Sequence, residues 1–164
     1  MKLSIVVPTK NRVKRAEATA LSVYNIFKDF KDVEVFLSDG STDQSADPAT
    51  GIKVLHCLEN YLLAEDHFFW VMSRVSGEYI WILGDDDSVN RLGALNMYSL
   101  LDEGTDFLLF NHNVIMPGGM IRPGTIKCSY PDRIKTIADY VVRAGLWYGI
   151  AGVSNAVYKT PTPD

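Results

Sequence analysis

The chain has 164 residues, 47% of them hydrophobic and 22% charged, with a mean hydropathy near zero, the composition of one globular domain able to bury a core without metals or disulfides. Sixteen Lys and Arg against twenty Asp and Glu leave a net charge of −4, which excludes a general nucleic-acid binder because no basic block offsets it. Apolar stretches fall well short of the roughly 20 residues of a membrane span, the apolar start is too short for a signal peptide, and Cys57 and Cys128 are isolated, which reads as buried free thiols in a reducing cytoplasm.

In chain order, Lys2–Val7 is a short apolar run closed by Pro8 and reads as a buried strand. Val13, Ala16, Ala20, Val23, Ile26 and Phe27 recur at helical spacing, so the chain is expected to be helical over Val13–Phe27. Val33–Leu37 is a second buried strand, stopped by the turn-forming run from Ser38 to Asp43, and Ile52–Cys57 a weaker third. Leu62–Val75 suits a helix that Gly77 stops.

Tyr79–Leu83 is a strongly apolar strand running directly into Gly84-Asp85-Asp86-Asp87. Leu92–Leu101 then reads as helix, Phe107–Phe110 as strand, Met116–Gly124 as a turn or hairpin, Ile134–Ala144 as helix and Ala151–Tyr158 as strand. Alternating strands and helices predict an α/β fold of three layers, α/β/α, around a mostly parallel mixed sheet.

Ligands of open α/β sheets bind beyond the carboxyl ends of the strands. Three strands end in polar or acidic runs: Pro8-Thr9-Lys10-Asn11-Arg12, Asp39-Gly40-Ser41-Thr42-Asp43 and Asp85-Asp86-Asp87. If the strands are parallel neighbours, these runs gather on one edge. Three adjacent carboxylates repel one another unless a cation or donor groups offset them, and Mg²⁺ or Mn²⁺ accepts carboxylates while sharing its remaining positions with substrate phosphates. An isolated acidic triplet before a helix is more simply a solvated cap; its place after a buried strand, opposite another acidic turn, favours a site. Asp39 could accept a hydrogen bond from a nucleobase, or only organise a tight turn. Lys10, Arg12, Lys14 and Arg15 could neutralise phosphate, or only cover a helix face.

Together the three runs resemble family 2 of the inverting glycosyltransferases, of the Rossmann-like GT-A fold. Ser4-Ile5-Val6-Val7-Pro8-Thr9-Lys10-Asn11-Arg12 resembles that family's first strand and nucleotide-binding turn, and Leu37-Ser38-Asp39-Gly40-Ser41-Thr42-Asp43 its DDGSTD motif. The run from Gly77 to Asp87 resembles the segment leading into the metal-binding DxD element, in the form of an abequosyl- and rhamnosyltransferase-like branch of surface-polysaccharide synthesis. The resemblance covers about residues 1–100. It implies that Pro8 and Thr9 line a nucleoside pocket, with Asn11 and Arg12 in the same nucleotide-sugar site. It further implies that Asp39 contacts the base, Asp85 lies against ribose or sugar, Asp86 coordinates Mg²⁺ or Mn²⁺ on the diphosphate, and Asp87 supports the metal shell.

Ser38 replaces the first aspartate of DDGSTD, and Gly84 the first of DxD. Phe68 and Phe69 stand where many members carry a basic residue and Asn, leaving His67 and Arg74 as substitutes. The resemblance implies one domain over 1–164, with a donor half at 1–100 and the start of an acceptor half at 101–164, expected to be incomplete at the C-terminus. The catalytic base is then expected beyond Asp164, since Asp132 and Asp139 precede the matching strand.

The expected partners are a nucleoside-diphosphate sugar and a saccharide or lipid-linked acceptor. Nucleic acid and a transmembrane segment are not expected; the expected place is the cytoplasm or the inner face of the membrane, with peripheral membrane association or a homo-oligomer as further partner expectations. A non-catalytic nucleotide-sugar or metal-binding module would explain a missing base equally. A nucleotidyltransferase would place a glycine-rich loop after the first strand, and an aspartyl-phosphate phosphatase an acidic motif there; Pro8–Arg12 is neither. Trp147 and Tyr148, between Gly145 and Gly152, read equally as a sugar-stacking platform or as core aromatics.

Overall fold

The computed structural model describes residues 1–48, 51–58, 64–101, 106–110, 113–123 and 156–160. The expected helix at Ile134–Ala144, Cys128, Asp132, Asp139, Trp147, Tyr148 and residues 151–155 of the last expected strand lie outside them.

The first strand, β1 (Leu3–Thr9), is buried on both faces, as its unbroken apolar run requires. It continues through Pro8 instead of ending there, pairing Pro8 with Ser38 and Thr9 with Asp39. The reason is where β1's neighbours stop. Its pairing with β4 (Tyr79–Ile82) ends at Val6, whose carbonyl accepts the Leu83 N–H. By strand alternation the missing N–H of Pro8 faces that same side, where no ladder bond is due. The second strand, β2 (Val33–Asp39), likewise outruns its expected end at Leu37.

Helix α1 (Val13–Phe27) has the expected bounds and buries Ala16, Ala20, Val23, Ile26 and Phe27. Thr19 is buried in the same stripe. β3 (Lys53–His56), α2 (Ala64–Met72) and α3 (Arg91–Leu100) follow the expected order. β5 (Phe107–Leu109) comes next, and the glycine-rich segment forms a hairpin of β6 (Asn113–Ile115) and β7 (Ile121–Pro123). Gly118 and Gly119 turn it with φ of 88° and 83°, a region open to glycine.

The main sheet has the order β3-β2-β1-β4-β8-β5, where β8 is Ala156–Lys159. β3, β2, β1 and β4 are parallel, and β8 runs antiparallel to both β4 and β5. One face packs Leu3, Ile5, Val7, Leu37, Tyr79 and Trp81 with residues of α1 and α3. The other packs Val6 and Phe36 with Val71 of α2. These are the three layers. The chain moves outward from β1 through β2 to β3, then returns to the opposite side of β1 as β4. That reversal is the switch point at which open α/β sheets form a ligand crevice, and Thr9 and Asp85 stand on its two sides.

Candidate active site

Asp85 follows the last residues of a buried strand and is itself only 3% exposed. A buried carboxylate needs paired charge and donors, and β1 supplies them across the switch point. Thr9 Oγ1 donates to Asp85 Oδ2 at 2.9 Å, and Arg12 Nη2 lies 2.7 Å from Asp85 Oδ1. Thr19 fixes the backbone of the same turn, its hydroxyl donating to the Asp85 carbonyl at 3.0 Å with the Asp87 carbonyl at 3.3 Å. Hydrophobic periodicity passes over Thr19, yet its place in a buried stripe was the available signal, because a buried hydroxyl must find an acceptor.

Asp86 and Asp87 are exposed, and both carboxylates turn over Gly84. A Cβ on Gly84 would lie 2.6 Å from Asp87 Oδ2 and 3.3 Å from Asp86 Oδ1. The glycine that departs from DxD therefore leaves the space into which the Asp86 and Asp87 carboxylates turn. The cap of α3 is not made by this triplet: Asn90 Oδ1 accepts the Gly93 N–H at 2.9 Å. With the cap supplied elsewhere, the triplet has no capping duty. Among the described residues no group of three or more His, Cys, Asp or Glu side chains could hold a metal ion. A divalent ion here would take Asp86 and Asp87 and complete its shell with water and phosphate, the habit of Mg²⁺.

The amino end of α1 carries an unusual charge. Arg12 is its N-cap and offers no side-chain capping bond, and no acidic residue occupies the first turn. Lys14 and Arg15 stand there instead, on the positive end of the helix dipole, each misplaced by about 0.3–1 kcal/mol. The acidic turn offsets this: Arg12 Nη1 and Arg15 Nη2 both lie 3.8 Å from Asp86 Oδ2.

The second run folds against the first. Gly40 N–H donates to the Thr9 carbonyl at 2.9 Å, and Asn11 N–H to Ser41 Oγ at 2.7 Å. Asn11 adopts φ 60°, which Asn tolerates better than most residues. Asp39 is fully buried. Its Oδ1 accepts the Ser41 N–H at 2.8 Å and its Oδ2 the Ala46 N–H at 3.2 Å, so the carboxylate staples its own loop, with a second lone pair left on each oxygen. Pro8 is partly exposed beside it.

Of the two substitutes from α2 and its end, His67 reaches this edge and Arg74 packs over the Trp70 ring. His67 Nε2 meets Ser38 Oγ at 2.8 Å, and its Cε1 would lie 3.3 Å from a Cβ on Gly40. Ser38, the departure from DDGSTD, is thus the partner of His67. Burial holds the imidazole below its ordinary pKa, the Asp39 charge opposing and the Lys10 charge assisting.

Comparison with known proteins gives the family and the fold. The family model for glycosyl transferase family 2 matches residues 4–158. Abequosyltransferase RfbV of Salmonella typhimurium strain LT2 is 25% identical over 117 residues, covering 66% of this chain and 35% of RfbV. The crystal structure of S. aureus TarS 1–349 superposes with a TM-score of 0.67 at 20% identity, over 98% of this chain and 47% of that one. The same protein in complex with UDP superposes at 0.66, likewise at 20% identity over 98% and 47% of the two chains. The chain thus spans about a third of the curated relative and about half of that structure. Among the described residues no helix is long and apolar enough to cross a membrane.

Proposed function

This chain belongs to glycosyl transferase family 2, and from that premise we propose that it binds a nucleoside-diphosphate sugar at the carboxyl ends of β1, β2 and β4. It transfers the sugar, with inversion, to a saccharide or lipid-linked acceptor in surface-polysaccharide synthesis. One observation carries the reading: the acidic turn after β4 and the cationic start of α1 meet across the sheet's switch point. Neither cluster is stable alone, and a diphosphate with a divalent cation complements both.

Each residue then has a role. Pro8 and Thr9 line the nucleoside pocket, and the Asn11–Arg12 turn faces the phosphates. Asp39, fully buried, holds the β2 loop against which the base is placed; Asp85, fixed by Thr9 and Arg12, orients the ribose or sugar. Asp86 and Asp87 would hold Mg²⁺ or Mn²⁺, which when bound supplies Lewis-acid stabilisation of the leaving diphosphate. The acceptor hydroxyl must lose its proton as it attacks. We assign that base to none of the described residues; residues 1–100 form the donor half and 101–164 begin the acceptor side. The RfbV and TarS–UDP likenesses support a sugar-nucleotide donor without choosing the sugar.

The test is a calorimetric titration of UDP, GDP, CDP and dTDP with and without Mn²⁺. At least one nucleotide should bind more than about tenfold tighter with the metal, roughly 1.4 kcal/mol. Asp86→Asn should remove that coupling, and Asp39→Ala should weaken the same nucleotide at least tenfold with the fold intact by circular dichroism. If no nucleotide shows coupling in the wild type, the donor-site reading fails.

A further inference from the structure

Arg12 and Arg15 occupy the charge position that a divalent cation would need. Arg12 pairs at 2.7 Å with the buried Asp85 and reaches Asp86 at 3.8 Å, where Arg15 arrives from three residues further along the same helix end. Both guanidiniums remain more than half exposed, at 53% and 58%, and Asp86 is 46% exposed. Arg12 thus makes one short bond to a buried carboxylate and one loose contact to an exposed one. The loose contact can be exchanged, since an exposed pair at this distance is weak and screened.

We propose that Arg12 and Arg15 are exchangeable counter-cations of Asp86: they neutralise it in the ligand-free protein, and a divalent ion displaces them toward the diphosphate. The inference rests on the donor-site reading and adds the route by which the site fills. A carboxylate cannot be shared at full strength by two guanidiniums and a divalent ion, because the cations repel one another at this separation. Arrival of the metal on Asp86 therefore frees the Arg15 guanidinium and the Nη1 edge of Arg12 at a helix amino end, and guanidinium N–H groups suit phosphate oxygens. Arg12 keeps its bond to Asp85 as a pivot, so the released group stays at the switch point. The same exchange holds bare metal binding weak, which favours joint entry of metal and diphosphate.

The consequence is a substitution with opposite effects on two ligands. Arg12→Gln should tighten Mn²⁺ alone by about twofold to fivefold, within what a partly exposed charge pair carries, while weakening the metal-free nucleoside diphosphate by a similar factor. Arg12→Lys keeps the charge and should leave Mn²⁺ affinity near the wild type. The gain must vanish in Arg12→Gln/Asp86→Asn, since the displaced contact is gone. Free Mn²⁺ followed by electron paramagnetic resonance reads the metal alone, and circular dichroism checks the fold. Unchanged or weaker Mn²⁺ binding in folded Arg12→Gln, or a gain that persists with Asp86→Asn, would overturn the exchange. Metal–nucleotide coupling in the wild type is read separately, so failure of the exchange is told apart from failure of the donor site on which it rests.

Discussion

Two buried carboxylates near opposite ends of the same sheet are held by closely similar partners. Asp85, beyond the end of β4, takes a hydroxyl from Thr9 and a guanidinium from Arg12. Glu34, near the start of β2, takes hydroxyls from Ser4 at 2.6 Å and Ser76 at 3.2 Å and an ammonium from Lys53 at 2.7 Å. Along β1, Ser4 and Thr9 are five residues apart, about 17 Å of extended strand. Burial and pairing do not distinguish the two. What differs is the surroundings. Around Glu34 the network closes, with Gly77 N–H donating to Ser4 Oγ at 2.9 Å and Thr160 Oγ1 to the Gly77 carbonyl at 2.5 Å. Around Asp85 the pairing is loose and exposed, with Arg12 and Arg15 each meeting Asp86 only at 3.8 Å. A closed network ties β1, β2, β3 and the turn before β4 together; an open one has room for a ligand. The amino end of the sheet is built for stability, and the carboxyl end carries the proposed donor site.

The glycines flanking β4 test that division most severely. A Cβ on Gly77 would lie 2.5 Å from the Ser4 backbone N and 2.6 Å from the Tyr79 carbonyl. Backbone cannot move aside locally, so Gly77→Ala should destabilise the protein by about 3 kcal/mol or more. At Gly84 the nearest atom is the end of the Asp87 side chain, which can rotate away. Gly84→Ala should cost less than about 1 kcal/mol of stability yet reduce metal–nucleotide coupling at least tenfold. Urea melts and calorimetry on the two variants separate the outcomes. Equal destabilisation would break the comparison.

Acid titration gives a smaller and finer contrast. Burial pushes the Glu34 carboxyl up, but the hydrogen bonds from Lys53, Ser4 and Ser76 and the Lys53 charge outweigh it and leave the pKa below 4.5. The unfolded chain therefore takes up this proton first, and the stability present above pH 4.5 is lost as pH falls through the lowered folded value. For His67, held below 6.5 mainly by burial, unfolding again binds the proton first, so stability is lost as pH falls from 6.5 toward the lowered folded value. Glu34→Gln should flatten the slope below pH 4.5 and His67→Gln the slope just below 6.5, both measured as unfolding free energy against pH. A slope unchanged in either variant removes that group from the acid response.

The carboxyl edge was largely legible in the sequence because each of its parts is local. Turn residues follow apolar runs, and a parallel sheet brings their ends together; α1 follows from its period, and β1, β2 and β4 from unbroken apolar runs. Their partners across the sheet were not legible. Nothing in a linear reading couples Ser38 to His67, Thr19 to the acidic turn, or Ser4 to Glu34, because those contacts depend on register and on which face a strand presents. The strand expected at Ala151–Tyr158 is described only from Ala156, and its antiparallel place between β4 and β5 is set by tertiary pairing that apolar composition does not encode. The Asp39 carboxylate also has two readings in sequence, base contact or turn, and the structure supplies the turn bonds to Ser41 and Ala46.

The least effect is expected at Tyr79, where the amino end departs from its own pattern. Its ring is buried at the start of β4, opposite Leu3 on one side and Lys159 on the other. Among the described residues its hydroxyl is the buried side-chain polar atom without a hydrogen-bond partner. Burying a hydroxyl without compensation costs about 1–3 kcal/mol, whereas the ring itself stabilises the core through its apolar area. Tyr79→Phe keeps the ring and removes the uncompensated oxygen, so it should raise stability by up to about 1 kcal/mol in urea unfolding with an unchanged m-value. Nucleotide affinity should not change, because the substitution lies at the amino end of β4 and leaves Thr9, Asp85 and Arg12 in place. A loss of stability instead would mean that the hydroxyl is satisfied, by water or by residues outside the described set, and that this end of the sheet is closed throughout. A change in nucleotide affinity would mean that β4 transmits strain from one end to the other, and the two ends would then have to be treated as one unit.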